Sequence, residues 1–253
     1  MAVLQSCPYL VDCTLESDFI VHNELSDLHM TRLESLKIGV PWEPDFTAVF
    51  NCLTIPSAQN LSCYVLSGRA NFPHSNFISL MSRSCCSLLT LSLSDLQIQA
   101  REIIECLRVV PSLQKLCLNN TAITNETFRM LTRHNLNLPN GLLPNLRVLK
   151  CFGIITFDFA VLENLLRSRW EPNDSESILA DGEPDQLSRL QCVEFRTIGV
   201  GVPEPYLLSN LRDLAREGMK ITITTADGEW LRGSSRRQVN IRPRDTVAGE
   251  EAQ

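Results

Sequence analysis

The sequence predicts an α/β fold in the form of a solenoid, with short parallel strands alternating with return segments that are mostly helical. Three observations predict it. A six-residue pattern with apolar side chains at its first, fourth and sixth positions recurs along the chain. Its first six copies start at residues 10, 33, 61, 88, 113 and 146, which are 23, 28, 27, 25 and 33 residues apart. Between the copies lie apolar spacings of helical period, bounded by proline or glycine.

The pattern is clearest at Leu33-x-x-Leu36-x-Ile38, Leu88-x-x-Leu91-x-Leu93 and Leu113-x-x-Leu116-x-Leu118. Cysteine substitutes in Leu10-x-x-Cys13-x-Leu15 and Leu146-x-x-Leu149-x-Cys151. Looser copies are Leu61-x-x-Tyr64-x-Leu66 and Leu190-x-x-Val193-x-Phe195, and Lys220–Thr224 alternates without a leading leucine. Side chains alternate along a strand, so the fourth and sixth positions share the inward face. One unit cannot bury that face alone, whereas a stack of them can. Pattern and period are those of a leucine-rich repeat, which runs about 20–29 residues. The longer step from residue 146 to residue 190 implies an insertion.

The return segments follow in order. Ile103-Ile104-x-x-Leu107 has helical spacing and Pro111 ends it. Phe128-x-x-Leu131 predicts a short helix capped by Thr127 or Asn125. Phe159-x-x-Leu162-x-x-Leu165-Leu166 predicts a third helix, and Tyr206-Leu207 through Leu211 and Leu214 a fourth that stops at Gly218. Strand entry is marked by Pro-x-Leu at Pro8, Pro111 and Pro144. Regular repeats place Asn or Cys three residues past the last apolar position. Here those places hold Asp18, Pro41, Arg69, Leu96, Thr121, Ile154 and Ile198. The expectation is therefore an irregular, curved solenoid, strands on its concave face and helices on its convex face, without an asparagine ladder.

The repeat domain is assigned to residues 1–230, with about seven to eight units. Residues 171–188 carry six acids and no base, which reads as an exposed acidic loop insertion. Residues 69–77 and 132–143 read as shorter loops, and 231–253 as a disordered C-terminal tail with scattered arginines.

Composition narrows the function. The chain is 44% hydrophobic and carries a formal net charge of -6, which argues against nucleic acid or an anionic membrane as partner. No apolar run is long enough to span a bilayer and the first residues do not read as a signal peptide, so the expected location is cytoplasmic or nuclear. The ten cysteines lack metal-ligand spacing, Cys85-Cys86 being the only close pair, and read as reduced thiols. The four histidines, His22, His29, His74 and His134, flank no nucleophile motif. No catalytic residue, metal or cofactor is expected, and Cys117 and Cys192 are at most slowly oxidising surface thiols.

Binding of another protein remains. The third and fifth positions of each unit are predicted to face outward on the concave side. These are Asp12 and Thr14, Ser35 and Lys37, Cys63 and Val65, Thr90 and Ser92, Lys115 and Cys117, Val148 and Lys150, Cys192 and Glu194. The chain's four lysines, Lys37, Lys115, Lys150 and Lys220, all fall on outward strand positions. The expectation is a lysine row that engages an acidic partner segment, chance distribution being the competing account.

Several segments also resemble the repeat region of fungal, mushroom-type F-box/leucine-rich-repeat proteins. They are Pro111-Ser112-Leu113-Gln114-Lys115-Leu116-Cys117-Leu118, Leu143-Pro144-Asn145-Leu146-Arg147-Val148-Leu149, Leu166-Arg167-Ser168-Arg169-Trp170, and Leu211-x-x-Leu214-x-x-Glu217-Gly218-Met219-Lys220-Ile221. The resemblance covers roughly residues 1–230. It implies repeats that select the substrate of a cullin ubiquitin ligase, with a Skp1-type adaptor as partner of an F-box. The sequence opens in a repeat at Pro8-Tyr9-Leu10 with no F-box-like Leu-Pro-x-Glu before it, so adaptor binding is carried onto no residue here. The alternative is a stand-alone repeat scaffold or inhibitor unrelated to ubiquitin. A solenoid that opens this way is expected to expose Leu4, Leu10 and Leu15.

Overall fold

A computed structural model describes residues 4, 6–16, 27–41, 43–121, 123–133, 141–153, 158–170, 189–197, 205–225 and 228–233. The strands are β1 (Asp12–Glu16), β2 (Leu28–His29), β3 (Ser35–Val40), β4 (Leu53–Thr54), β5 (Asn60–Val65), β6 (Ala70–Asn71), β7 (Thr90–Ser94), β8 (Leu96–Gln97), β9 (Lys115–Asn119), β10 (Val148–Gly153), β11 (Cys192–Thr197), β12 (Lys220–Thr225) and β13 (Gly228–Gly233). The helices are α1 (Glu43–Cys52), α2 (His74–Ser84), α3 (Ala100–Arg108), α4 (Asn125–Leu131), α5 (Phe159–Trp170) and α6 (Pro205–Arg216).

The fold is α/β around a nine-stranded sheet ordered β1-β3-β5-β7-β9-β10-β11-β12-β13. Neighbours pair in parallel until β12, which pairs β13 antiparallel. Among the described residues, from β3 to β12 one helix separates each strand of this sheet from the next, and each helix packs on its successor. The short pairs β2–β4 and β6–β8 are also parallel.

Register aligns the apolar positions into columns. One runs Leu36, Leu61, Leu91, Leu116, Leu149, Val193 and Ile221, and the other Ile38, Cys63, Leu93, Leu118, Cys151, Phe195 and Ile223. Every one of these side chains is buried, in a single core that also takes in the inner faces of the helices. Burying a leucine stabilises by about 1.5–3 kcal/mol, so the columns are a leading source of stability.

Strand entry repeats with them. The carbonyl of Val11 accepts from the N–H groups of both Glu34 and Ser35, and that of Glu34 from Gln59 and Asn60. Gln59 serves Leu89 and Thr90 in turn, Leu89 serves Gln114 and Lys115, Gln114 serves Arg147 and Val148, and Arg147 serves Gln191 and Cys192. A turn closes just before, with the N–H of Leu10, Leu33, Ala58, Leu113 and Leu146 donating to the carbonyl three residues back. Pro8, Pro56, Pro111 and Pro144 hold the second place of four of these turns, which proline's fixed φ favours.

That turn corrects the third unit. It starts at Ala58, not Leu61, so Leu61 and Cys63 face inward and the copy expected at Leu61-x-x-Tyr64-x-Leu66 is three residues out of frame. The leading side chain is an alanine, which hides the unit from a leucine count; Pro56-Ser57-Ala58 was the available signal.

The four expected helices are present, and α1 and α2 are additions. Residues 69–77, expected to be a loop, contain β6 and the start of α2. The polar residues around Pro73 mask the start of a helix whose buried face is Phe77, Leu80 and Met81. Phe46, Phe50, Phe72 and Phe77 pack edge-on or tilted, with ring centroids 5.6–6.2 Å apart, and fix α1 against α2. The cap of α4 also differs: Thr124 precedes the helix without a side-chain cap, Asn125 opens it, and Thr127 is buried inside it. The Asn125 side chain accepts from the Asp158 N–H at 2.8 Å instead.

Among the described residues no asparagine ladder forms, but one polar step stands a residue before the places named above. Asp95 and Asn120 follow β7 and β9, Gly153 ends β10, and the three have φ of 59°, 50° and 116°. The Asn120 amide donates to the Asp95 carboxylate at 2.8 Å, and the Asn120 N–H donates to the Phe152 carbonyl at 2.7 Å. A Cβ on Gly153 would fall 2.3 Å from Asn120 Oδ1, so this step admits only glycine.

The domain boundary placed at 230 falls within β13, which runs to Gly233. The acidic stretch 171–188, residues 234–253, Asp18, Ile154 and Ile198 lie outside the described residues. Leu4 is buried rather than exposed, and Leu10 and Leu15 are half-buried. No helix among the described residues is long and apolar enough to cross a membrane.

Two arginines, each in the last turn of a helix, tie down carbonyls at the end of the preceding helix and in the chain that follows it. Arg83 of α2 donates to the carbonyls of Phe50, Asn51 and Leu53. Arg169 of α5 is fully buried and donates to those of Leu131, Leu142 and Leu143. Burial, with the Arg133 charge as the lesser cause, lowers the Arg169 guanidinium to about 9, so it remains a cation at neutral pH. The folded value lies below the ordinary one, so the penalty for burying charge is full below about 9 and relieved only above it. Arg169→Met removes the buried charge but orphans three carbonyls, and on balance is expected to cost about 3 kcal/mol at neutral pH, read as a lower urea midpoint at unchanged slope.

Candidate partner-binding face

Among the described residues, helices cover one face of the sheet and not the other. The uncovered face presents three register rows. The first is Asp12, Ser35, Asn60, Thr90, Lys115, Val148, Cys192 and Lys220. The second is Thr14, Lys37, Ser62, Ser92, Cys117, Lys150, Glu194 and Thr222. The third is Glu16, Gly39, Tyr64, Ser94, Asn119, Phe152, Arg196 and Thr224. Asp12, Thr14, Ser35, Lys37, Thr90, Ser92, Lys115, Cys117, Val148, Lys150, Cys192, Glu194 and Lys220 thus lie where alternation put them, all exposed or half-exposed.

Cys63 and Val65 do not. Both are buried, and Ser62 and Tyr64 take their places, because the third unit is displaced by three residues and an odd shift exchanges the faces. The third row was missed because the strands outrun the six-residue pattern.

The lysines share a face but form no single row. Lys115 and Lys220 stand in the first, Lys37 and Lys150 in the second. Lys150 is also neutralised: its Nζ lies 2.8 Å from Glu194 Oε2, while Arg196 Nη2 lies 2.9 Å from Glu194 Oε1. The hydrogen bond from Lys150 is the first cause that holds the Glu194 carboxyl below its usual range, and the same bond raises Lys150. Arg196 also lies over the Phe152 ring, 5.3 Å from its centroid.

At the other end of the third row Tyr64 lies across Gly39 and its hydroxyl donates to the Glu16 carboxylate. A Cβ at Gly39 would meet the Tyr64 ring at 2.5 Å, so glycine here makes room for the aromatic side chain. Desolvation first, and Glu16 second, raise the Tyr64 phenol to about 12.

The Cys117 thiol on this face is not activated. Burial raises Cys117, and the opposing charges of Lys115 and Lys150 offset it only in part. Among the described residues no group of three or more His, Cys, Asp or Glu side chains is arranged to hold a metal ion.

Away from this face, an open cleft of about 820 Å³ lies at the N-terminal ends of α1, α2 and α3. His74 has a nucleophile type beside it after all: Nε2 lies 3.3 Å from Ser75 Oγ, and Nδ1 lies 3.3 Å from Glu102 Oε1. Glu105 lies 3.8 Å from the same Nε2, and Glu102 also accepts from the Gln99 N–H at 2.8 Å in a capping box. The carboxylates belong to the first two turns of α3, so the cluster reads as a tether between the starts of α2 and α3.

No protein-family model matches the chain, and no curated protein is significantly similar to it.

Two outcomes test this geometry. Absorbance titration of the three tyrosines should show one phenol near 12, and Glu16→Gln should lower it. Cys117 should react with a water-soluble disulfide reagent at pH 8 at least about tenfold more slowly than exposed Cys7 and Cys85, read by peptide mass.

Proposed function

We propose that the chain is a leucine-rich-repeat solenoid, strands on its concave side and helices on its convex side, whose uncovered sheet face binds another protein. The observation that carries the reading is the uncovered face itself. Three side-chain rows continue in register across eight strands, mixed in polarity, over columns of buried apolar residues. Such a surface is rigid and wide, and it binds without needing a pocket.

The resemblance of the sequence segments extends the proposal. The face selects the substrate of an F-box-type adaptor of a cullin ubiquitin ligase, in the cytoplasm or nucleus, and the chain catalyses nothing by itself. His74 and Ser75 do not alter that, since Glu102 is engaged in capping α3 and Ser75 sits on an open polar surface.

The test is a pull-down of the endogenous product, tagged at its C-terminus in the native locus, with its mass measured. The expected result is a product larger than 28.5 kDa that brings down a Skp1-like adaptor and a cullin. A product at 28.5 kDa without them ends the ligase reading and leaves a stand-alone repeat scaffold or inhibitor, defined by what it captures.

A further inference from the structure

The uncovered face is electrostatically divided. On β9 to β12 its three rows hold Lys115, Lys150, Lys220 and Arg196 against a single carboxylate, Glu194. On β1 to β7 they hold Asp12 and Glu16 against Lys37. A locally cationic surface on a chain of net charge -6 selects for anionic partners.

Within that half the cations are not equivalent. Lys150 and Arg196 are both committed to Glu194. Lys115 and Lys220 form no ion pair among the described residues, and they bound one stretch of the first row, Lys115–Val148–Cys192–Lys220. Adjacent strands are about 4.8 Å apart, so the two ammonium-bearing strands are separated by roughly 14 Å. An extended peptide advances about 3.3 Å per residue and points alternate side chains the same way. Residues four apart therefore span about 13 Å and face one side, which matches the two lysines.

The residue between them faces the same side and falls over Val148 and Cys192, which supply an apolar floor. Glu194 stands in the next row beside Cys192 and repels a carboxylate at that middle place.

Resting on the proposal that this face binds protein, we propose that its β9–β12 half docks an extended segment of a partner, crossing the strands, with the sequence acidic-x-apolar-x-acidic. The two acidic side chains pair with Lys115 and Lys220, and the apolar one covers Val148 and Cys192.

The experiment uses the full chain and fluorescein-labelled peptides with an Asp-Ser-Leu-Ser-Asp core in glycine-serine flanks, followed by anisotropy. Saturable binding that weakens with added salt is expected. Moving the acids to two apart, or replacing the central leucine by glutamate, is expected to weaken it about tenfold. The double variant Lys115→Glu/Lys220→Glu should lose binding of this peptide and gain binding of its Lys-Ser-Leu-Ser-Lys counterpart. That gain shows that the variant is folded, and unfolding midpoints provide a second check. Equal binding of all spacings, no binding at millimolar protein, or a double variant that still prefers the acidic peptide would each overturn the proposal. Ser92→Arg, on β7, separates the two readings. If it abolishes capture of endogenous partners while the lysine reversals leave capture intact, the face binds protein and the acidic motif is wrong. If neither change alters capture, the face itself is not the binding surface.

Discussion

Everything in this fold depends on one backbone constraint, the shared carbonyl at strand entry. Each of Val11, Glu34, Gln59, Leu89, Gln114 and Arg147 accepts two successive N–H groups from the next strand of the main sheet. That double bond fixes the stagger between neighbours. A slip of one residue would break both bonds and turn every buried side chain of the strand outward. The apolar columns, the three rows of the uncovered face and the positions of the lysines all follow from a register set at the same place in each unit.

Much of this was legible because alternation and turn chemistry agree. Leu116 and Leu118 stand where period two places them, and Pro111 and Leu113 mark the turn before them. Where one signal was weak the reading failed. Ala58 fills the site of a leading leucine with a small side chain, and a count keyed to leucine moved the frame to Leu61, with the exchange of faces at Cys63 and Val65 as the result. The step at Asp95, Asn120 and Gly153 was missed by one residue, because left-handed backbone leaves its mark in conformation before composition.

The candidate face was legible in its membership and not in its energetics. Sequence alternation puts Lys115, Lys150, Glu194 and Lys220 on one surface. Which lysine is neutralised depends on pairing across strands that are 44 residues apart in the chain. Arg196 joins Glu194 only because β11 extends past its last apolar position. Paired charges at a surface contribute little to stability, about 0–1 kcal/mol, so the arrangement matters mainly for what it leaves unpaired.

Gly39 and Tyr64 are far apart in the chain and adjacent on the sheet, where the missing side chain of one is the seat of the other's ring. Neither position is free to drift alone. A methyl group acquired at 39 evicts the ring, and a small residue acquired at 64 leaves a bare backbone furrow. Across diverged descendants of this chain the two sites should therefore change together or not at all, so that glycine at the first is inherited with an aromatic at the second.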